Sequence, residues 1–359
     1  MAEPTSPLHP RVGNPRGDRR RLSLLVLCLA SAVFAEVPSM SAPLALVTPW
    51  GLLVVLPLYG LHTVVLAALA FRLRRPVSLP LLWALGGVLG LYEAYLTKVI
   101  WDPTWSTVEL PWRAGGLAIA QTAVLVLFWH PLMSFVVPLA VAERVLGTAG
   151  PVAEITNGLP GWTRRLRRRW WLPPALLGVG CGLYQSAAGG TPGLALLSLL
   201  AGVSPIGLVA FLARRRGGPA GLRALLPQGR GLAWAAAALG VLYLVMTPTV
   251  RADSLPRTLL PHALVWCLYA ALAAAVAGAA RAPRSARRES ATAESAWEST
   301  PRTDQPTRWL LVLAAAWLAC SGLGALLPAL AAGFVALAAL SGVSAGLVLV
   351  IRGLLRRAS

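Results

Sequence analysis

Runs of about 20 apolar residues recur along the whole chain, separated by short segments in which arginine is concentrated. Each run is long enough to cross roughly 30 Å of hydrocarbon as a helix that rises about 1.5 Å per residue. Hydrophobic residues make up 57% of the 359 positions and charged residues 13%, against about a quarter charged in soluble proteins. The pattern excludes a soluble globule and predicts an all-α, polytopic bundle of transmembrane helices.

We predict about ten spans, with both termini in the cytoplasm. The predicted spans lie near residues 22–35, 46–71, 79–100, 114–141, 171–187, 192–213, 232–250, 259–280, 309–327 and 329–351. Lysine and arginine accumulate on the cytoplasmic side of membrane proteins, and 28 of the 32 here fall on one side of this alternation. The formal charge of +19 therefore indicates topology in a plasma membrane, not nucleic-acid binding.

Two segments are too polar to bury a core, and they divide the chain. We predict a disordered basic tail over 1–21 and a disordered linker over 282–306, which separates eight spans in 22–281 from the last pair in 307–359. The first apolar run ends in small residues that resemble a cleavage site, so a signal peptide is an alternative interpretation of this run. The long tail before it favours a retained span.

The bilayer itself is the partner that the sequence indicates. The arginine-rich segment 164–169 lies beside Trp170 and Trp171, which is typical of an anchor on anionic lipid headgroups at a cytoplasmic arginine cluster. The four cysteines lie inside apolar runs without a close pair. We expect no disulfide, no metal and no cofactor.

Glu93 is the deepest charge in the predicted spans, where an ionised group costs about 2.5 to 3.5 kcal/mol. Helical spacing directs Glu93 and Lys98 about 140° apart, so Glu93 needs a partner from another span, whereas Lys98 can pair with Asp102 at the outer interface. We hypothesise an outward-facing polar cavity framed by Glu36, Glu93, Gln121, Gln185 and His262. Separate interhelical hydrogen bonds are the alternative.

Two histidines, His62 and His130, lie nearer mid-membrane. Either side chain has the proton affinity for a relay, but a histidine bonded to a neighbouring backbone carbonyl is the alternative. Pro131 follows His130 and frees carbonyl groups on the fourth span. The pairs Gly86/Gly90 and Gly342/Gly346 have the spacing of close helix packing.

The sequence contains no phosphate-binding loop, zinc-protease motif, nucleophile elbow or CxxC pair, which argues against nucleotide-driven pumping and zinc proteolysis. One open function is outward-facing binding or transport of a small solute or lipid, in which Glu93 supplies the charge and His262 and Gln121 shape the cavity. A second is a membrane-embedded enzyme on a lipid-linked substrate, with Glu93 as general base. The third is a non-catalytic envelope component.

Three stretches of the first third carry a resemblance to known proteins: Ala35–Pro43, Leu58–His62 and Gly90–Lys98. They resemble an uncharacterised group of bacterial and archaeal polytopic membrane proteins. That group often has two adjacent acids in the third stretch, whereas Tyr92 precedes Glu93 here, so two-carboxylate chemistry is in doubt. The resemblance implies that the outer ends of the first three spans form a unit, and it argues against cleavage after Ala35. It implies no function.

Overall fold

The structure, a computed structural model, describes residues 15–74, 76–101, 112–148, 152, 169–216, 221–281 and 306–355. Within these ranges the chain is almost entirely helical, and the prediction of an all-α bundle is confirmed. The helices are α1 (Pro15–Glu36), α2 (Gly51–Leu73), α3 (Leu79–Leu96), α4 (Ile119–Leu146), α5 (Leu172–Ala187), α6 (Pro192–Arg215), α7 (Leu222–Leu225), α8 (Arg230–Thr249), α9 (Leu259–Ala280), α10 (Pro306–Leu326) and α11 (Pro328–Leu355). A hairpin of two short antiparallel strands, β1 (Arg113–Ala114) and β2 (Leu117–Ala118), precedes α4.

Eight of these helices, α2, α3, α4, α6, α8, α9, α10 and α11, are long and apolar enough to cross a membrane. They coincide with eight of the ten predicted spans. The other two predicted spans correspond to α1, whose first turns carry Asp18 and the arginines of 19–21, and to α5, which has only 16 residues. The count of ten and the cytoplasmic position of the termini stay predictions.

Helix α1 begins at Pro15, within the segment 1–21 that the sequence predicts as disordered. Arg20 accounts for the difference, because its guanidinium donates hydrogen bonds to the carbonyl oxygens of Leu225 (3.0 Å) and Leu226 (2.9 Å). These bonds attach the first turns of α1 to the segment around α7. Residues 1–14 and the predicted linker up to residue 305 lie outside the described residues.

The centre of the bundle is α1, which packs against α2, α4 and α6. Its residues from Val26 to Ala35 are buried, apart from the half-buried Cys28. A helix that is hydrophobic on all sides lies in a protein core or spans a membrane, and the burial of this segment shows that other helices cover it. The carboxyl end of α1 is therefore held inside the bundle, and it ends on a charged residue, Glu36.

Glycines bring α3 into close contact with α4, as the spacing of Gly86 and Gly90 predicts. A methyl group on Gly86 would lie 2.5 Å from Cα of Pro131, and one on Gly90 would lie 2.9 Å from Cβ of His130. Such distances are below van der Waals contact, so only glycine permits this approach. The contact places the end of α3, which carries Glu93, against His130.

Candidate functional site

The carboxyl group of Glu36 is fixed at the last residue of α1. The Ser39 hydroxyl donates to the carbonyl oxygens of Ala35 (3.1 Å) and Glu36 (3.0 Å), and the Trp129 indole of α4 donates to the Ala35 carbonyl at 3.0 Å. These bonds satisfy backbone acceptors that a helix end leaves free. Glu36 Oε1 then accepts a hydrogen bond from the Tyr59 hydroxyl of α2 at 2.5 Å.

His130 connects this pair to Glu93. Its Nε2 lies 3.1 Å from Glu93 Oε2, and its ring stacks on Tyr59 with the centroids 5.9 Å apart. Glu36, Tyr59, Glu93 and His130, which we call the polar network, thus come from four different helices, α1 to α4. Two carboxyl groups, a phenol and an imidazole form one continuous set of contacts.

The local structure of α4 sets the position of His130. Residues Val124–Val136 form a π-helical segment that contains Pro131, which has no N–H group to donate within the helix. Segments of π-helix are frequent at functional sites because they redirect side chains. His130 Nδ1 lies 2.7 Å from the Ser134 hydroxyl, four residues further on. The imidazole is therefore held through both of its nitrogens.

Below the network, small hydroxyl groups join three helices. The Ser134 carbonyl oxygen accepts from the hydroxyls of Ser31 (2.7 Å) and Thr63 (3.2 Å), which are 2.6 Å from each other. All three residues are fully buried. We call these three residues the hydroxyl cluster. Because an unpaired buried polar group is costly, the hydroxyl cluster is a fixed support for His130.

Glu93 is the member of the network that is open to the surroundings. Its side chain is 13% exposed against 3% for that of His130, and Tyr59 and Glu36 are buried. The carboxyl groups of Glu36 and Glu93 are close enough to influence each other electrostatically. The network is most accessible at Glu93.

His62 lies beside the network in a different environment. Its Nδ1 donates to the Leu58 carbonyl oxygen at 2.7 Å, which is the backbone-bonded alternative that the sequence allows. Its ring is 4.3 Å from that of Tyr92, and Tyr92 is 4.5 Å from Tyr243 of α8. His62 therefore contributes to an aromatic wall between α2, α3 and α8.

Of the five residues of the hypothesised cavity, the structure brings Glu36 and Glu93 together. Gln185 is buried elsewhere, where its Oε1 accepts from the Trp317 indole (2.7 Å) and its Nε2 lies 3.5 Å from the Met40 sulfur. His262 Nε2 bonds the Pro256 carbonyl at 3.0 Å, and its ring contacts Trp101. Gln121 is half-buried on α4, nine residues before His130. Gln185 and His262 thus have structural partners of their own.

Lys98, just beyond α3, is fully buried. Its ammonium group donates to the carbonyl oxygens of Leu96 (3.0 Å) and Thr247 (2.7 Å), which links the end of α3 to α8. Asp102, its predicted partner, lies outside the described residues. Within the described ranges, no group of three or more His, Cys, Asp and Glu residues is placed to hold a metal ion.

Sequence reasoning missed three parts of the site: His130 as the partner of Glu93, the phenol of Tyr59, and the hydroxyl of Ser134. The spacing of four residues between His130 and Ser134 was a usable signal, since such residues meet on one helix face. The contact between His130 and Glu93 depends on how α3 and α4 pack, which no local pattern specifies.

These helices and the buried network define a multi-pass helical membrane protein. The chain belongs to a family described as an uncharacterized membrane protein family, whose model matches residues 24–358. A protein of Archaeoglobus fulgidus, named as an uncharacterized protein, is 34% identical over 254 residues, which cover 70% of this chain and 75% of the relative. No solved structure matches the chain. The resemblance found in the first third is confirmed and extends over nearly the whole length.

Proposed function

We propose that this protein binds or transports a small solute or lipid from the outer side of the membrane, with the Glu93 carboxylate as the charged contact. One observation carries the proposal: Glu93 is the partly exposed end of a network whose other members are buried. A buried ionisable group inside a membrane bundle is expensive, and such groups commonly mark substrate or proton pathways. The hydroxyl cluster of Ser31, Thr63 and Ser134 holds His130 in position when Glu93 exchanges its hydrogen-bond partner.

The chemistry of Glu93 favours a solute with a cationic or amine group. Such a group can replace the His130 imidazole at Glu93 Oε2, since it offers N–H donors to the carboxyl group. His130 keeps its second contact, with the Ser134 hydroxyl, when Glu93 takes the new partner.

The outward orientation rests on the distribution of basic residues. We propose ten spans in the plasma membrane with both termini cytoplasmic, which puts the carboxyl ends of α1 and α3 and the start of α2 outside. Glu36, Tyr59 and Glu93 lie near those ends. The same orientation turns the arginine clusters toward the cytoplasmic leaflet, where we propose that they contact anionic lipid headgroups.

Thermal unfolding with added solutes tests this function. A panel of small amines is added to purified wild-type protein and to Glu93→Gln. We expect a bound amine to raise the wild-type midpoint, because a ligand at 100 times its Kd stabilises by about 2.7 kcal/mol. The shift should vanish in Glu93→Gln. Equal shifts in both proteins, or none with any amine, would contradict the proposal and favour a structural envelope component.

A second candidate function is that of a membrane-embedded enzyme. The imidazole of His130 lies 2.7 Å from the Ser134 hydroxyl and 3.1 Å from the Glu93 carboxyl group, which gives the order hydroxyl, imidazole, carboxyl. That order is the one that activates serine nucleophiles. Ser134 is fully buried, however, which leaves its hydroxyl to orient the imidazole. A fluorophosphonate probe separates the two functions: labelling of Ser134 supports the enzyme, and an unlabelled serine supports the binding protein.

A further inference from the structure

A cavity of about 180 Å³ lies at the opposite ends of the helices from the polar network. The last turns of α2 form one wall with Ala68, Phe71 and Arg72, and the segment around α7 forms the other. That second wall consists of Arg223, Leu226, Pro227 and Gln228. The cavity is thus basic on its polar side and apolar on the side of Phe71 and Leu226.

Among the residues that the structure describes, the two arginines of this cavity have no protein counter-ion. Neither Arg72 nor Arg223 makes a hydrogen bond or an ion pair with any residue that the structure describes. Arg223 is nevertheless half-buried. Arg20 and Arg74 show the usual alternative, since their guanidinium groups donate to backbone carbonyls at 2.7 to 3.0 Å. Arg72 is exposed, so both guanidinium groups lie on one cavity and can donate hydrogen bonds to an anion there.

The cavity is also a fixed part of the fold. Arg20 of α1 bonds the carbonyl oxygens of Leu225 and Leu226, so the wall that carries Arg223 is tied to the central helix. Leu222, Leu225 and Leu226 are buried in the main core. The distance between the two walls is therefore set by packing and not by a loose surface segment.

We propose that this cavity binds a phosphate group, carried by an anionic lipid or free in solution. A guanidinium presents parallel N–H donors that match two phosphate oxygens, and two such groups supply the charge for one phosphodiester or phosphate. The amide of Gln228 adds a neutral donor. The apolar wall of Phe71 and Leu226 fits the glycerol and first acyl carbons of a lipid, and basic pockets between membrane helices are known headgroup sites.

Native mass spectrometry tests the site on the full chain. Delipidated wild-type protein is compared with Arg72→Gln/Arg223→Gln after addition of phosphatidylglycerol, phosphatidylcholine or inorganic phosphate. We expect the double variant to lose about tenfold in affinity for the phosphatidylglycerol that wild-type protein retains. Retention of phosphatidylglycerol alone identifies a lipid site, and retention of inorganic phosphate as well identifies a site for the phosphate group itself.

The matched control is Arg308→Gln/Arg352→Gln, which removes two exposed arginines from the ends of α10 and α11 that the same orientation places in the cytoplasm. It lowers the net charge by the same amount without touching the cavity. If both double variants bind phosphatidylglycerol and phosphate as the wild-type protein does, or lose them equally, the proposed site is wrong. Glutamine keeps most of the side-chain volume, and the thermal midpoint of each variant checks that it folds.

Discussion

Replacement of His130 by alanine is expected to lower the free energy of unfolding by about 3 kcal/mol, as removal of one partner from a buried pair typically does. Three contacts disappear together: the one with Glu93 at 3.1 Å, the one with Ser134 at 2.7 Å, and the stacking on Tyr59. Glu93 would keep a largely buried carboxyl group without its partner. Denaturing-detergent titration of the purified protein, followed by circular dichroism, measures the loss.

Glu93→Gln is the matched control, because its amide keeps the shape of the carboxyl group and removes its charge. The variant Glu93→Gln/His130→Ala should lose about 0.5 to 3 kcal/mol less than the sum of the two single variants, since Glu93→Gln already weakens the contact that His130→Ala removes. Strictly additive losses would show that the two side chains do not interact, and the polar network would not exist as described.

The second large effect concerns Gly182, where α5 meets α10. A side chain there would begin 2.3 Å from the Trp317 carbonyl oxygen and 2.8 Å from the Ser321 nitrogen, both backbone atoms that cannot move alone. We expect Gly182→Ala to cost about 3 kcal/mol, the upper end of the usual cost of overpacking, because the clash begins at the first side-chain atom. The yield of folded protein after purification and its thermal midpoint measure the effect.

Gly180 provides a control on the same helix. A methyl group there would lie 3.8 Å from its nearest neighbour, a ring atom of Phe334, which is ordinary contact. Gly180→Ala should therefore leave the midpoint nearly unchanged, and an equal loss in both variants would show that α5 and α10 do not meet at Gly182. The result also bears on the site, because Tyr184 of α5 packs on Trp129 at 4.3 Å and Trp129 holds the end of α1.

The fold class could be predicted from the sequence because hydrocarbon imposes a length and a composition on each span. Eight of the ten predicted spans are helices that meet both criteria over the described residues. Helix α1 shows the limit of prediction from local sequence patterns. Its charged first turns have the composition of a disordered tail, but Arg20 forms hydrogen bonds with residues about 200 positions away in the sequence. Long-range contacts of this kind leave no periodic signal.

The site could be predicted only in part. The cost of a charge in hydrocarbon singles out Glu93, and the same argument requires a partner on another helix. The partner, His130, depends on the glycine contact between α3 and α4, and the phenol of Tyr59 reads as an ordinary aromatic core residue. Gln185 and His262 show the reverse: polar residues at suitable depth whose hydrogen bonds go to Trp317 and a backbone carbonyl instead.

Labelling of single cysteines from outside intact cells tests the central claim, that Glu93 is the outward-facing end of the network. The starting protein lacks its four native cysteines. One cysteine is placed at position 93, at position 97 just after the end of α3, or at the buried position 134. We predict that an impermeant thiol reagent modifies positions 97 and 93 and leaves 134 unmodified. Protection of 93 in a correctly inserted protein, or its modification only from the cytoplasmic side, would contradict the outward-facing site.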